Sequence, residues 1–242
     1  MQKKSLKTST RSARKLSSAG TGDSGTARIT RACAIVRYLK KAYPAPKIEL
    51  YYRTPFQLVV AVMLSAQCTD KAVNKLTQGG LFRTYRTPRD FADANSALFQ
   101  KEIASVPFFR NKAKAIQGVA KAIATKHRGV VPKTEVELMA LPGIGYKTAH
   151  VILGELYNMW EGIPTDTHVK RFAKRFDLSR EDDLKKISKD LEALVPKEDW
   201  KYVNNGLVLY GRYVCSARKH DCEKHPLTKL WPEAAHRWPR AK

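Results

Sequence analysis

Acidic side chains are scarce in this 242-residue chain. There are 22, against 45 lysines and arginines, for a formal net charge of +23 and a pI near 10.0. Such an excess points to a polyanionic partner, most often nucleic acid. A basic tail on a neutral body does not account for it. Residues 1–27 hold six basic residues (Lys3, Lys4, Lys7, Arg11, Arg14, Lys15) and Asp23, or +5, which leaves +18 on the remaining 215 residues. Long apolar runs are missing too. The longest uncharged stretch, Thr54 to Thr69, is broken by Gln57, Ser65 and Gln67, which excludes a membrane-spanning helix. Cysteines number only four (Cys33, Cys68, Cys215, Cys222) and no apolar signal segment precedes them. That argues for a reducing compartment and against a disulfide framework. Convincing strand pairs and fixed-period repeats are absent, and the expectation is an all-α protein.

What is present is helical punctuation. Residues 1–27, rich in Ser, Thr, Gly, Lys and Arg, read as a disordered basic tail. Their composition also suits a transit peptide or a DNA-gripping arm. Ile35, Val36 and Leu39 put an apolar face on a first helix that ends before Pro44. Thr54 followed by Pro55 is an N-cap and a first-turn proline, so the valine-rich run Phe56 to Leu64 is expected to be helix rather than strand. Ala113, Ile116, Val119, Ala120, Ile123 and Ala124 form a helical stripe, with Lys112, Lys114, Lys121 and Lys126 off it. Leu184, Ile187, Leu191 and Leu194 form another.

The segment LPGIGYKTAH (141–150) carries the first chemical signal. Pro142 ends one helix at Leu141. Gly143 and Gly145 are expected to take backbone angles that a side chain forbids. The next helix then opens with bare N–H groups at its positive end, where a phosphate can sit close, positioning the protein on DNA without reading sequence. A tight turn between packed helices explains the same residues without DNA. Lys147 lies in the first turn of that helix, where a cation is disfavoured. The local potential favours the free amine, which suits a nucleophile; a phosphate-binding lysine is the plainer alternative. Nineteen residues on, in IPTDTH (163–168), Asp166 is placed to N-cap the next helix. One intervening helix would turn that carboxylate back toward the amine. An amine that attacks a sugar carbon beside a carboxylate that stabilises developing positive charge is a pairing suited to glycosidic chemistry.

The segments LSAQCTDKAVNK (64–75), VPFFRNKA (106–113), LPGIGYKTAHVIL (141–153), PTDTHVKRFAKR (164–175) and YGRYVCSARKHDC (210–222), in this order, resemble endonuclease III, the family of helix-hairpin-helix DNA glycosylases with lyase activity. The resemblance implies a base-excision-repair enzyme that flips an oxidised pyrimidine out of duplex DNA. Lys147 would attack the anomeric carbon and form a Schiff base, and β-elimination would nick the strand. Asp166 would assist departure of the base and the proton transfers. Gln67 would fill the hole in the duplex and Phe108 would press on the opposite strand, with Gly143, Gly145, Thr148 and His168 completing the DNA contacts. Gln67 capping its helix and Phe108 lying in the core are the plain alternatives. Pro107, in place of a small residue, stiffens the wedge loop. Lys147 and the short segment after Cys222 favour the bifunctional enzyme over a monofunctional mismatch glycosylase or a non-catalytic helix-hairpin-helix binding protein.

The resemblance further implies two lobes. A helical barrel over 49–160 is inserted between residues 28–48 and 161–232, and a basic tail covers 233–242. The protein is expected to act as a monomer on damaged double-stranded DNA, inside the cell. Most relatives hold a [4Fe-4S] cluster on C-x6-C-x2-C-x5-C. Here Cys215 and Cys222 keep the first spacing, but His225 and Trp231 occupy the third and fourth places. The four-thiolate cluster is therefore expected to be missing. A metal-free loop filled by Trp231 is the expectation. Cys215, Cys222, His225 and His236 are the alternative, as a zinc set whose spacing matches no standard site.

Overall fold

The structure, a computed structural model, describes residues 25–218 and 220–237. Among these residues no strand occurs. The helices that build the molecule are α1 (Gly25–Ala42), α2 (Pro55–Ser65), α3 (Asp70–Leu76), α4 (Pro88–Asp93), α5 (Ser96–Glu102), α6 (Phe109–Lys126), α7 (Glu135–Met139), α8 (Tyr146–Tyr157), α9 (Thr167–Arg175), α10 (Leu184–Leu194), α11 (Leu207–Tyr213) and α12 (Pro226–Leu230).

Local chemistry fixes several of the starts. Thr54 Oγ1 accepts the Gln57 N–H at 3.2 Å and Pro55 holds the first turn, which commits the valine-rich run to helix. That run is buried on every side from Phe56 to Leu64, so its lack of helical periodicity reflects a helix with no solvent face. Asn95 and Thr87 cap α5 and α4 in the same way, the latter in a reciprocal capping box with Asp90.

Two apolar cores result. The first gathers buried residues between Leu50 and Leu153, centred on α2, α6, α8 and the aromatic cluster of Phe56, Phe82, Tyr85, Phe91 and Phe99. The second joins Ala32, Ile35, Val36 and Leu39 of α1 to residues after Ile163, including Phe172, Ile187, Leu191, Leu207 and Leu227. The chain thus leaves the second core after α1, builds the first, and returns. Polar contacts tie the two together. Asn205 donates to Glu155, and Arg212 pairs with both Glu49 and Asp70. Burial pushes the Glu155 carboxyl above its usual value, opposed by hydrogen bonds from Asn205 and the Ile48 N–H.

Some expectations shift. Helix α1 begins at Gly25, inside the span read as tail, and residues 1–24 lie outside the described residues. At the other end, Pro232–Ala235 form a 3-10 turn whose Ala234 is buried in the second core, within the span read as a tail; residues 238–242 also lie outside the described residues. The helix before the hairpin stops at Met139, two residues ahead of Leu141. Leu184, counted in an apolar stripe, is exposed at the first position of α10. The largest departure is Lys112. Placed off the stripe of α6, it is in fact buried at 8% exposure, because its ammonium finds two carbonyls to satisfy it.

Candidate active-site cleft

The hairpin is pinned from below. Leu141 and Ile144 are buried, and the Ile144 N–H returns to the Leu141 carbonyl at 3.2 Å. Gly143 sits at φ 75°, and a Cβ there would come within 2.9 Å of Ala115 Cβ on α6. Its glycine is required by both backbone and packing. Gly145 differs from expectation. At φ −96° and ψ 177° its backbone is open to any residue, and a Cβ would meet nothing within 4 Å. Nothing inside the protein calls for glycine here; the open space in front of it is where an outside group can approach. Gly145 is also the N-cap of α8, and no side chain caps that end. The first N–H groups of α8 face outward with their dipoles aligned.

Lys147 follows in the first turn of α8. It is exposed, lines a small cleft of about 60 Å³, and makes no hydrogen bond or ion pair with any described residue. Across this cleft lies Asp166, the N-cap of α9, with Ser65, Asp70, Asn204, Asn205 and Arg212 around them. Asp166 Oδ1 accepts the N–H groups of His168 and Val169 at 2.8 and 2.9 Å. Its other oxygen, Oδ2, accepts no hydrogen bond from the described residues. The cap fixes the carboxylate's position while leaving one oxygen to act. His168, expected at the DNA, is half-buried against Gly211, with Arg171 Nη2 3.3 Å from its Nδ1. Burial holds its imidazole below the ordinary value; Asp166 and Asp70 oppose this, while Arg171 and Arg212 add to it. Thr148 is half-buried one residue past the lysine.

Two loops, after α2 and before α6, both end on a residue in the left-handed region. Gln67 (φ 54°) occupies the third position of a turn closed by the Cys68 N–H on the Ser65 carbonyl at 3.0 Å, after Ala66 at φ −57°, ψ 117°. This is the place where a type II turn favours glycine. Phe108 (φ 58°) precedes α6 and is 61% exposed. Each placement costs about 1–2 kcal/mol for a residue with a side chain. Among the described residues neither plain alternative holds: the Gln67 side chain caps no helix, and Phe108 is exposed. Lys112 links the loops. One turn past Phe108, its Nζ donates to the Leu64 and Ala66 carbonyls at 2.7 Å each, closing the end of α2 just before Gln67. Burial lowers its ammonium's proton affinity. The sequence carried no sign of this contact, because 46 to 48 residues separate the partners. The Glu49–Arg212–Asp70 network escaped it for the same reason.

The donor set after α11 decides the cofactor question. Only Cys215 and Cys222 supply thiolates there, and Trp231, at the fourth position, is packed between the Arg31 and Arg237 guanidiniums at 4.2 and 4.8 Å. A [4Fe-4S] cluster held by four cysteines does not fit these residues. His236 is also outside the group, exposed after the last 3-10 turn. His220 takes its place beside Cys215, Cys222 and His225.

An uncapped hairpin helix that delivers a lysine opposite a helix-capping aspartate, on a two-core helical frame, defines a helix-hairpin-helix protein built to meet a phosphate backbone. The family model described as "HhH-GPD superfamily base excision DNA repair protein" matches residues 60–197. Endonuclease III of Synechocystis sp. is 42% identical over 204 residues, spanning 84% of this chain and 93% of that protein. The Bacillus subtilis endonuclease III is 41% identical over 196 residues, 81% of this chain and 89% of that one. A solved structure of a trapped endonuclease III–DNA covalent intermediate is similar at a TM-score of 0.80 and 37% identity, covering 86% of this chain and 98% of that chain. The chain belongs to the endonuclease III family of the HhH-GPD superfamily.

Proposed function

We propose that this chain excises oxidised pyrimidines from duplex DNA and nicks the strand at the resulting site, with Lys147 as nucleophile and Asp166 as its carboxylate partner. The reading rests above all on Lys147: an amine with no partner among the described residues, at an uncapped helix end, in a cleft that also holds the Asp166 carboxylate. As a free amine, Lys147 Nζ attacks the anomeric carbon of a nucleotide turned out of the stack, and the bond to the base breaks. Asp166 stabilises positive charge on the sugar and relays protons. The sugar ring opens to a protonated Schiff base. Loss of a C2′ proton then expels the 3′ phosphate by β-elimination, and water releases the lysine. Gln67 and Phe108, held at fixed and strained geometry, fill the vacated stack and wedge the opposite strand, while Gly143, Gly145 and Thr148 present the hairpin to phosphates. His168 is read as a further DNA contact, and its backbone N–H holds Asp166 Oδ1 in place. The enzyme acts as a monomer, inside the cell, where DNA is found.

The test is product analysis on a duplex with one oxidised pyrimidine. Wild type should give a nicked strand without alkali treatment, and Lys147→Gln should give none while still binding the duplex. Base release with an intact strand from the wild type would make this a monofunctional glycosylase instead.

A further inference from the structure

The loop joining α11 to α12 gathers four soft donors at one point. Cys215, His220, Cys222 and His225 each offer one ligand atom, and all four atoms lie within 4.8 Å of one another. Zinc bonds of about 2.3 Å to sulfur and about 2.0 Å to nitrogen place neighbouring tetrahedral donors about 3.3–3.8 Å apart. His220 Nε2 and Cys222 Sγ are already at 3.3 Å. We propose that these residues form a structural zinc site, Cys2His2, in the part of the fold where the family's iron–sulfur ligands would otherwise fall.

The local geometry supports each ligand in turn. His220 Nδ1 lies 2.6 Å from the Arg218 carbonyl. A carbonyl only accepts, so Nδ1 carries the proton and Nε2 keeps its lone pair for the metal. His225 Nδ1 is enclosed yet meets no hydrogen-bond partner among the described residues, a deficit that a metal–nitrogen bond removes. The His225 N–H closes a turn on the Cys222 carbonyl at 3.0 Å, which brings the side chains of Cys222-x-x-His225 together. Both cysteines are buried free thiols, at 1% and 6% exposure. On binding, both thiol protons leave to solvent and the sulfurs ligate as thiolates. Arg175 Nη1 donates to Cys215 Sγ at 2.8 Å, the contact a ligating thiolate receives from its surroundings.

Four protein ligands leave no open position, so the site is structural rather than catalytic. A two-iron cluster on two cysteines and two histidines would put each pair on a different iron, whereas here a cysteine and a histidine already meet at one point. The loop is docked on α9, since Arg171 donates to the Cys215 and Ser216 carbonyls at 2.8 Å each and Arg175 Nη1 to Cys215 Sγ at 2.8 Å. Asp166 is the N-cap of α9, so zinc would brace the helix that the cleft carboxylate caps.

Metal analysis and X-ray absorption on the untagged full chain test this directly. The expected result is one zinc per chain, negligible iron, and a shell of two sulfurs and two nitrogens. Cobalt(II) replacing the zinc should show the visible bands of a tetrahedral thiolate site. Cys222→Ser and His225→Ala should each lose stoichiometric zinc, while His236→Ala keeps it. Because those ligand variants risk misfolding, the cobalt spectrum of the wild-type protein stands by itself. A protein that binds neither zinc nor cobalt stoichiometrically, one that retains iron with a visible chromophore, or one whose zinc survives both ligand substitutions would overturn the proposal.

Discussion

The hairpin at 141–147 leads into α8 and the loop at 214–225 follows α11, two helices that line the cleft, but they are held by opposite means. The hairpin is fixed by shape: two buried apolar residues, and a glycine whose missing Cβ lets the turn rest on Ala115. The helix end it leads into carries no side-chain cap. The loop at 214–225 is fixed by polar bonds from Arg171 and Arg175, and its soft donors turn inward on one another. One turn is built to present bare groups to a ligand; the other is built to enclose its own.

Perturbing the cleft that the hairpin serves should have the largest effect. Asp166→Asn keeps an oxygen to cap α9, so stability should change by less than about 1 kcal/mol. Base release, measured under single turnover, should nonetheless fall by roughly 10²–10⁴-fold. Equal losses of stability and rate would mean that Asp166 is only a cap. Within the hairpin, the two glycines should separate. Gly143→Ala faces a left-handed backbone and a 2.9 Å contact, and should destabilise the fold by about 2 kcal/mol or more. Gly145→Ala should leave Tm unchanged and weaken duplex binding about tenfold, since its methyl occupies the space a phosphate needs. If both variants change Tm alike, the contrast between inner and outer glycine is wrong.

Lys112→Met keeps the length of the side chain and removes its donors. Leaving the Leu64 and Ala66 carbonyls short of a partner should cost about 2 kcal/mol, readable by denaturant titration. Because the same bond holds the Gln67 turn, excision should fall further than the stability loss explains. The smallest expected effect is on pH dependence. The His168 imidazole in the folded state lies below its usual value, chiefly through burial. Below about pH 6.5 the unfolded chain therefore takes up a proton that the folded chain refuses, and stability falls as pH drops toward the folded value. His168→Gln should flatten that part of the Tm–pH curve relative to wild type between about pH 7.5 and 5.5.

How much of this was legible in the sequence follows the same division. Helix starts were readable wherever a cap and a proline mark them, as at Thr54–Pro55, and the hairpin was readable because Pro142 and Gly143 interrupt a helical pattern. The pairing of Lys147 with Asp166 was readable because one helix separates them. Contacts that join distant parts of the chain were not. Lys112 looked like a surface lysine because its partners lie 46 to 48 residues back, with α3, α4 and α5 between. The φ of Gly145 does not require glycine, and the open space in front of it is visible only in the structure. His220 was passed over for His236 because spacing along the chain does not reveal which imidazole the loop folds inward.

The central claim concerns one amine, and mapping a covalent adduct tests it most directly. Borohydride added during reaction with a duplex carrying an abasic site should reduce the Schiff base and freeze the complex. Peptide mass spectrometry should then place the deoxyribose remnant on Lys147, and Lys147→Gln should yield no adduct. An adduct on another residue, or an undiminished adduct in the variant, would contradict the account.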